Sequence, residues 1–534
     1  MFKKALCLWL ILIVVLSTAA CAPKGGDTKK TNDTNASGSD AQAPDSLKTF
    51  VTNLSADPTT FNPVFKADDD GHLIYQNVFD GLLELNFNSE VIPGLAETWE
   101  ASEDGKTYTF HLAKGIKWHD GVAFSSDDVK YTYERIMTDH GFIGETLSHA
   151  LESIECPDPD TVVLKLKEPD ATLLGTLAWY EHFIIPKHIY EKEADWATAE
   201  AATVKPIGTG PFKFVSHKKG ESITLEANDE YFKGRPLIDR LVYTIIPDAN
   251  TATMAFRNGE IDLLCGVPTA EVPSMQSDPD IKIGVMSAAR RYQLIFNMEN
   301  EKVKEFAIRK AVALGIDRDE ISVKGTHGLQ KPAYGFYPPF LEWAYNKEAD
   351  IGARDVSGAR KFLEDAGFTE DANGNYLSLE LDVFSGGTYA DCAKVIQANL
   401  KDVGIDLKIN VMEMAAWAEK IDSGNFEVAM LAGYQGPDPD AITKRIGTGQ
   451  VMNWAKYSNK EVDNLLAEAK KLVGHDERGA LYKKVQEILG KELPIIPIVE
   501  FANFYAARRD VSGVPYIDQV ADVHDNSYAK VNIG

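Results

Sequence analysis

The sequence predicts an α/β protein of two or three domains, and three observations carry that prediction. A chain of 534 residues is too long for one simple hydrophobic core. Residues 206–267 read as three short β-type runs, one short helix and a further β-type run, divided by turn residues. Residues 303–489 read as strands separated by helices, which implies a largely parallel sheet in that part of the chain.

The N-terminus comes first in order. Met1-Phe2-Lys3-Lys4 is a short basic stretch, and residues 5–16 form an apolar run with the length of a signal-peptide core, short of a membrane span. Ser17-Thr18-Ala19-Ala20-Cys21 resembles a bacterial lipobox, with Thr18 where Leu is usual. A signal peptide over 1–20 and lipidation of Cys21 are therefore expected; the alternative is ordinary signal cleavage and a soluble product. Residues 21–46 are rich in Gly, Ser, Thr, Asn and Asp and read as a flexible tether.

Composition narrows the function. Eighty Asp and Glu against 55 Lys and Arg give a net charge of -25, which argues against a nucleic-acid partner, since phosphate binding needs a basic face. Beyond Cys21, Cys156, Cys265 and Cys392 are widely spaced with no CxxC pair, so neither a disulfide framework nor a zinc site is indicated. The chain has no HExxH, GxSxG or GxxxxGK[ST] motif, and its histidines are scattered. No catalytic residue, cofactor or metal is expected.

Order begins near Leu47, with a strand over 49–54, turn chemistry at Asp57-Pro58, and an amphipathic helix over 69–85. The Asp68-Asp69-Asp70 run reads as helix-cap chemistry. Asp104-Gly105 marks a hairpin, and Ser125 or Ser126 caps a helix starting near Asp127. In the mid-chain unit, Asp248 or Asn250 caps a helix over 251–257 that Gly259 ends. Helices follow over 303–314, 356–366 and 390–403, and strands over 377–384, 405–411 and 426–431. Asp371-Ala-Asn373-Gly374-Asn375 is a turn, because its Gly comes too early for a calcium loop. Two closing helices cover 461–473 and 477–489, and a last β-type run punctuated by Pro494 and Pro497 extends to Ala507.

Several of these segments carry a resemblance. Pro93-Gly94-Leu95-Ala96-Glu97-x-Trp99, Asp104-Gly105-Lys106-Thr107-Tyr108-x-Phe110-x-Leu112, Gly115-x-Lys117-Trp118-His119-Asp120-Gly121 and Gly208-Thr209-Gly210-Pro211-Phe212 resemble the signatures of the large solute-binding proteins of bacterial ABC importers, the oligopeptide/dipeptide/nickel-type family 5. Ala113 departs from the Arg or Lys that is commoner there. The resemblance extends from about Leu47 to the C-terminus. It implies the two-lobed periplasmic-binding-protein-like fold (type II, cluster C) with an extra domain on the first lobe. The implied partition is 47–83, 206–295 and 494–534 for lobe I, 84–205 for the inserted domain and 296–493 for lobe II. It also implies a monomeric, extracytoplasmic binding protein, tethered by Cys21 to the outer face of the cell membrane. Its partners would be ABC permease and ATPase subunits, and short peptides the first ligand class. A metal chelate, an opine-like compound, a sugar, or a receptor role without transport are the rival readings.

The candidate site follows the 426–431 strand, at Ala432-Gly433-Tyr434-Gln435-Gly436-Pro437-Asp438-Pro439-Asp440. Gly and Pro shape a loop where main chain can approach a ligand, and Tyr434, Gln435 and Asp438 offer a stacking face, an amide and a charge. In peptide-binding members an acid of this loop pairs with the ligand's α-ammonium. Counted back from the Asp-Pro pair, Gln435 takes that place; aligned on the Gly-aromatic pair, Pro437 does. Asp438 and Asp440 are the remaining acids. The resemblance adds Trp417 as a cleft-lining residue, with core packing as the alternative. Arg291, in the Arg290-Arg291 pair at the crossing to lobe II, suits a carboxylate clamp, and Trp179 suits the inner face of the inserted domain.

Overall fold

The computed structural model describes residues 47–64, 68–139, 142–179, 183–193, 195–286, 290–434 and 436–534. The expected signal peptide, Cys21 and the expected tether, all within 1–46, lie outside the described residues, as does Gln435.

A seven-stranded sheet forms the first lobe. Edge to edge it runs Ile281–Met286, Asn503–Arg508, Leu263–Cys265, Thr49–Leu54, Arg240–Ile245, Ser222–Ala227 and Phe212–Lys218. The mid-chain unit supplies four of these strands, so the first and last parts of the chain are built onto it. Thr49–Leu54 lies near the centre, parallel to both neighbours, with Thr49 opposite Arg240 and Thr52 opposite Leu263. Ser222–Ala227 alternates as period-2 patterning requires, burying Ile223 and Leu225. The helix Ala249–Arg257 is capped by Asp248, whose carboxylate accepts from the Thr251 N–H at 2.8 Å.

The Gly-Thr-Gly-Pro-Phe segment has a packing reason. A Cβ on Gly208 would lie 1.8 Å from the carbonyl oxygen of Val78, and one on Gly210 would lie 2.6 Å from the Val78 carbonyl carbon. Only bare backbone fits against the end of the helix Asp69–Val78, where the Gly210 N–H donates to the Val78 carbonyl at 3.0 Å. Thr209 Oγ1 and Tyr231 OH donate to the two oxygens of buried Asp80 at 2.7 and 2.8 Å. His119 joins the same place from the inserted domain. Its Nδ1 accepts from the Gly208 N–H at 3.3 Å, so its Nε2–H donates to the Gly210 carbonyl at 3.0 Å. Burial pushes its pKa down to about 4, consistent with a neutral ring. Two signature motifs thus bind each other, and their work is structural.

The inserted domain is built on a four-stranded antiparallel sheet in the order Ala96–Ala101, Thr107–Leu112, Thr161–Leu166, Leu151–Asp158, with the helix Ser126–Asp139 packed on it. Gly105 turns the first hairpin at φ +67°.

The second lobe holds a five-stranded sheet in the order Ile405–Met412, Leu377–Phe384, Val428–Tyr434, Arg290–Phe296, Ile495–Glu500. Its first three strands are parallel, being separated by helices. Arg290–Phe296 then pairs antiparallel with both its neighbours, so the sheet is mixed. Arg290–Phe296 and Ile495–Glu500 pair within this second sheet, whereas Ile281–Met286 and Asn503–Arg508 pair within the first. Pro497 is tolerated within a strand because that strand is the sheet edge, opposite a register shift at Tyr292/Gln293. The first helix is also shorter than the sequence pattern implied. It ends at Val78, and Leu83–Leu85 is instead a strand paired with Val91–Pro93.

Candidate functional site

Between the lobes lies a cavity of about 1180 Å³. Thr172, Gly175 and Trp179 line it from the inserted domain, Asp69 from lobe I, and Asp440, Lys444 and Lys470 from lobe II. A second cavity of about 390 Å³ adjoins it, sharing Asp69, Trp179 and Arg290 and reaching His72, His524 and Asp525 in lobe I.

The loop after Val428–Tyr434 forms one wall, as the position at a strand's C-terminal end anticipates. Asp438 and Asp440 both line the cavity, but their environments differ. Asp438 caps the short 3-10 helix Pro439–Ile442, accepting from the Asp440 N–H at 2.9 Å. The buried guanidinium of Arg478 lies 2.8 Å from the same carboxylate, so its charge is answered within the protein. Asp440 accepts from Thr443 Oγ1 at 3.1 Å. Burial pushes its carboxyl up to about 6; Lys470 opposes the rise, while Asp438 and Asp170 add to it.

Trp179 lines both cavities, with the Lys444 ammonium 5.5 Å from its ring centre. Gly433 is buried and is absent from the cavity lining; a Cβ there would meet the Gln293 amide at 2.7 Å, so its bareness serves sheet packing. Tyr434 ends the strand opposite Arg290.

Two expected cleft residues lie elsewhere. Trp417 is only 5% exposed, and its indole N–H donates to the Asp382 carbonyl at 3.2 Å within the lobe II core. Its helix, Met414–Asp422, turns that face onto the sheet rather than into the cleft. Arg291 is 1% exposed, held by Glu500 at 2.8 Å and by the Gly335 carbonyl. Successive strand residues face opposite ways, and the cleft face falls to Arg290. Arg290 lies 5.9 Å from the Phe501 ring and lines both cavities. Arg445, also lining, has its pKa brought down to about 10 by burial and then by the charge of Arg290. The Arg pair itself was legible in sequence; the choice within it needed the strand register.

The smaller cavity rests on a polar cluster that no sequence pattern marks. The Gln76 amide donates to Asp525 at 2.6 Å, His524 Nδ1 lies 2.7 Å from the same carboxylate, and Tyr516 OH donates to it at 2.8 Å. Although burial raises it, the Asp525 carboxyl is brought down to about 2 by His524. Burial, and then His524, push His72 down to about 4. Among the described residues no group of His, Cys, Asp and Glu is arranged to hold a metal ion.

Comparison with known proteins places this geometry. Residues 90–454 match the family model described as bacterial extracellular solute-binding proteins, family 5 middle. The oligopeptide-binding protein AppA of Bacillus subtilis is 29% identical over 532 residues, covering 96% of each chain. The DppA binding protein of Helicobacter pylori, solved with the peptide STSA, superposes with a TM-score of 0.78 at 28% identity, over 91% of this chain and 98% of that one. AgaA of A. tumefaciens R10, solved with agropinic acid, gives a TM-score of 0.78 at 26% identity, over 91% and 99%. The family is one of extracytoplasmic binding proteins, not enzymes. Its signatures, two-lobed fold and inter-lobe cavity are all present here, and the chain belongs to the family 5 bacterial extracellular solute-binding proteins.

Proposed function

We propose that the protein captures short peptides between its lobes and delivers them to an ABC permease, whose ATPase subunits power import. The single observation behind this reading is the inter-lobe cavity of about 1180 Å³ with both signs of charge on its walls. That volume exceeds the roughly 300–1,000 Å³ of ordinary small-ligand pockets and suits a chain of several residues. The lobes are joined at two crossings, and rotation about them opens and closes the cavity. Asp440 is the group that meets a ligand cation, Arg290 with Lys444 and Arg445 the groups that meet a carboxylate, and Trp179 the wall against which a side chain stacks. The protein acts as a monomer held by a lipid on Cys21.

The test is calorimetry on protein unfolded and refolded to remove retained ligand, titrated with di- to pentapeptides and their N-acetylated forms. Failure of every free peptide to bind refutes the peptide reading. A non-peptide solute is the second reading. The internal Arg478–Asp438 pairing favours it, because it removes one acid from ligand recognition, and AgaA was solved with agropinic acid. Agropinic acid belongs in the same titration series. Loss of metabolic lipid labelling in Cys21→Ser checks the anchor.

A further inference from the structure

One seam between the inserted domain and lobe II borders the cleft, and the chain does not pass through it. Asp170, in the inserted domain, is 5% exposed. One of its oxygens accepts from the Thr172 N–H at 2.9 Å and from Thr172 Oγ1 at 2.6 Å. The other lies 3.0 Å from the ammonium of Lys470. The next residue grips the other end of the same lysine: the Ala171 N–H donates to the Lys470 carbonyl at 2.9 Å. Lys470 sits in the last turn of the helix Lys460–Lys471, where carbonyls lack partners within the helix. An amide of one domain therefore caps a helix of the other, and a carboxylate of the first neutralises the ammonium beside that cap. Thr172 and Lys470 both line the main cavity, so the seam and the ligand wall are continuous.

We propose that Lys470 is a positioning residue for ligand retention: it is where the inserted domain locks onto lobe II, and breaking its two contacts is the step that lets ligand leave. This rests on the reading that the lobes close around a solute. The physical reason is that the seam is not covalent. If the lobes separate there, the Asp170 carboxylate keeps Thr172 but loses the Lys470 ammonium, while the Lys470 carbonyl loses its donor. The Lys470 side chain is partly exposed, which tempers the strength of the pair, whereas Asp170 is nearly enclosed. Lys470 also stands beside Asp440, so the seam is built next to a charged ligand-facing group.

Hydrogen–deuterium exchange on the ligand-free protein tests it directly. Exchange at the Ala171 amide is expected about tenfold faster in Lys470→Gln and in Asp170→Asn than in the wild type, the double variant no faster than either single one, and Lys470→Arg close to wild type. Amides of Leu381 in lobe II and Phe110 in the inserted domain report that both folds stay intact. Loaded with an equimolar tripeptide library, the two single variants are expected to release it about tenfold faster. Ala171 exchange that ignores Lys470→Gln, or release rates equal to wild type, overturns the proposal. A seam that responds in a protein that takes up no peptide refutes the peptide reading alone.

Discussion

Asp440→Asn separates the cost of the candidate site from its benefit. Raising a carboxyl from 3.8 to about 6 costs the folded state about 3 kcal/mol once the acid is ionised. The sign follows from proton counting. Between pH 4 and 6 the folded protein holds a proton at Asp440 that the unfolded chain has lost, so stability falls as pH rises through that window. The facing groups are Lys470, Asp438 and Asp170, with Thr443 donating and Arg478 occupied by Asp438. Asparagine cannot ionise, so the variant escapes the loss. Urea unfolding, ligand-free, is expected to show Asp440→Asn more stable than wild type by about 1–3 kcal/mol at pH 7.5 and equal to it below pH 4. Asp80 is also raised by burial, but it is present in both proteins and cancels in the comparison. Calorimetry of the same variant is expected to show weaker binding of free peptides and unchanged binding of N-acetylated ones. A stability difference of the same size at both pH values refutes the reasoning.

Three further predictions follow from placement. Trp417→Ala is expected to lower the stability of lobe II by about 3–5 kcal/mol while leaving ligand affinity near wild type, read by thermal unfolding and calorimetry, because the indole is core and not cleft. Arg290→Gln and Arg291→Gln are expected to diverge in the same assays. The first weakens binding of ligands with a free carboxylate at little cost in stability, whereas the second leaves half-buried Glu500 without its guanidinium partner and costs about 3 kcal/mol. Gly208→Ala is expected to lower the melting temperature sharply with no change in far-UV spectrum, since its methyl would collide with the Val78 carbonyl.

Much of the architecture was legible because it is local. Leu377–Phe384 alternates apolar and polar residues and is a strand with those bounds; Gly367 follows the helix Val356–Asp365 at φ +87°, as a helix stop should. Where the pattern misled, a non-local partner had decided. Leu82 continues the apolar phase of Ile74 and Val78 in the first helix, yet Leu83–Leu85 pairs with Val91–Pro93 and the helix stops at Val78. The direction of Arg290–Phe296 depended on its two neighbours, which come from distant parts of the chain.

The candidate site divides the same way. Sequence by itself identified the family and offered Asp438, Asp440 and Trp179 as candidates, because turn chemistry and signature spacing are written residue by residue; all three line the cavity. Tertiary structure alone decided how those groups are partnered. Asp438 is matched by Arg478 from the helix His475–Glu492, and Asp440 is left in a buried setting beside Lys470. It decided that Arg290 and not Arg291 faces the cleft, and that Asp170 and Ala171 reach Lys470. Charge state and facing depend on burial and on partners far away in the chain, which periodicity and motifs do not encode.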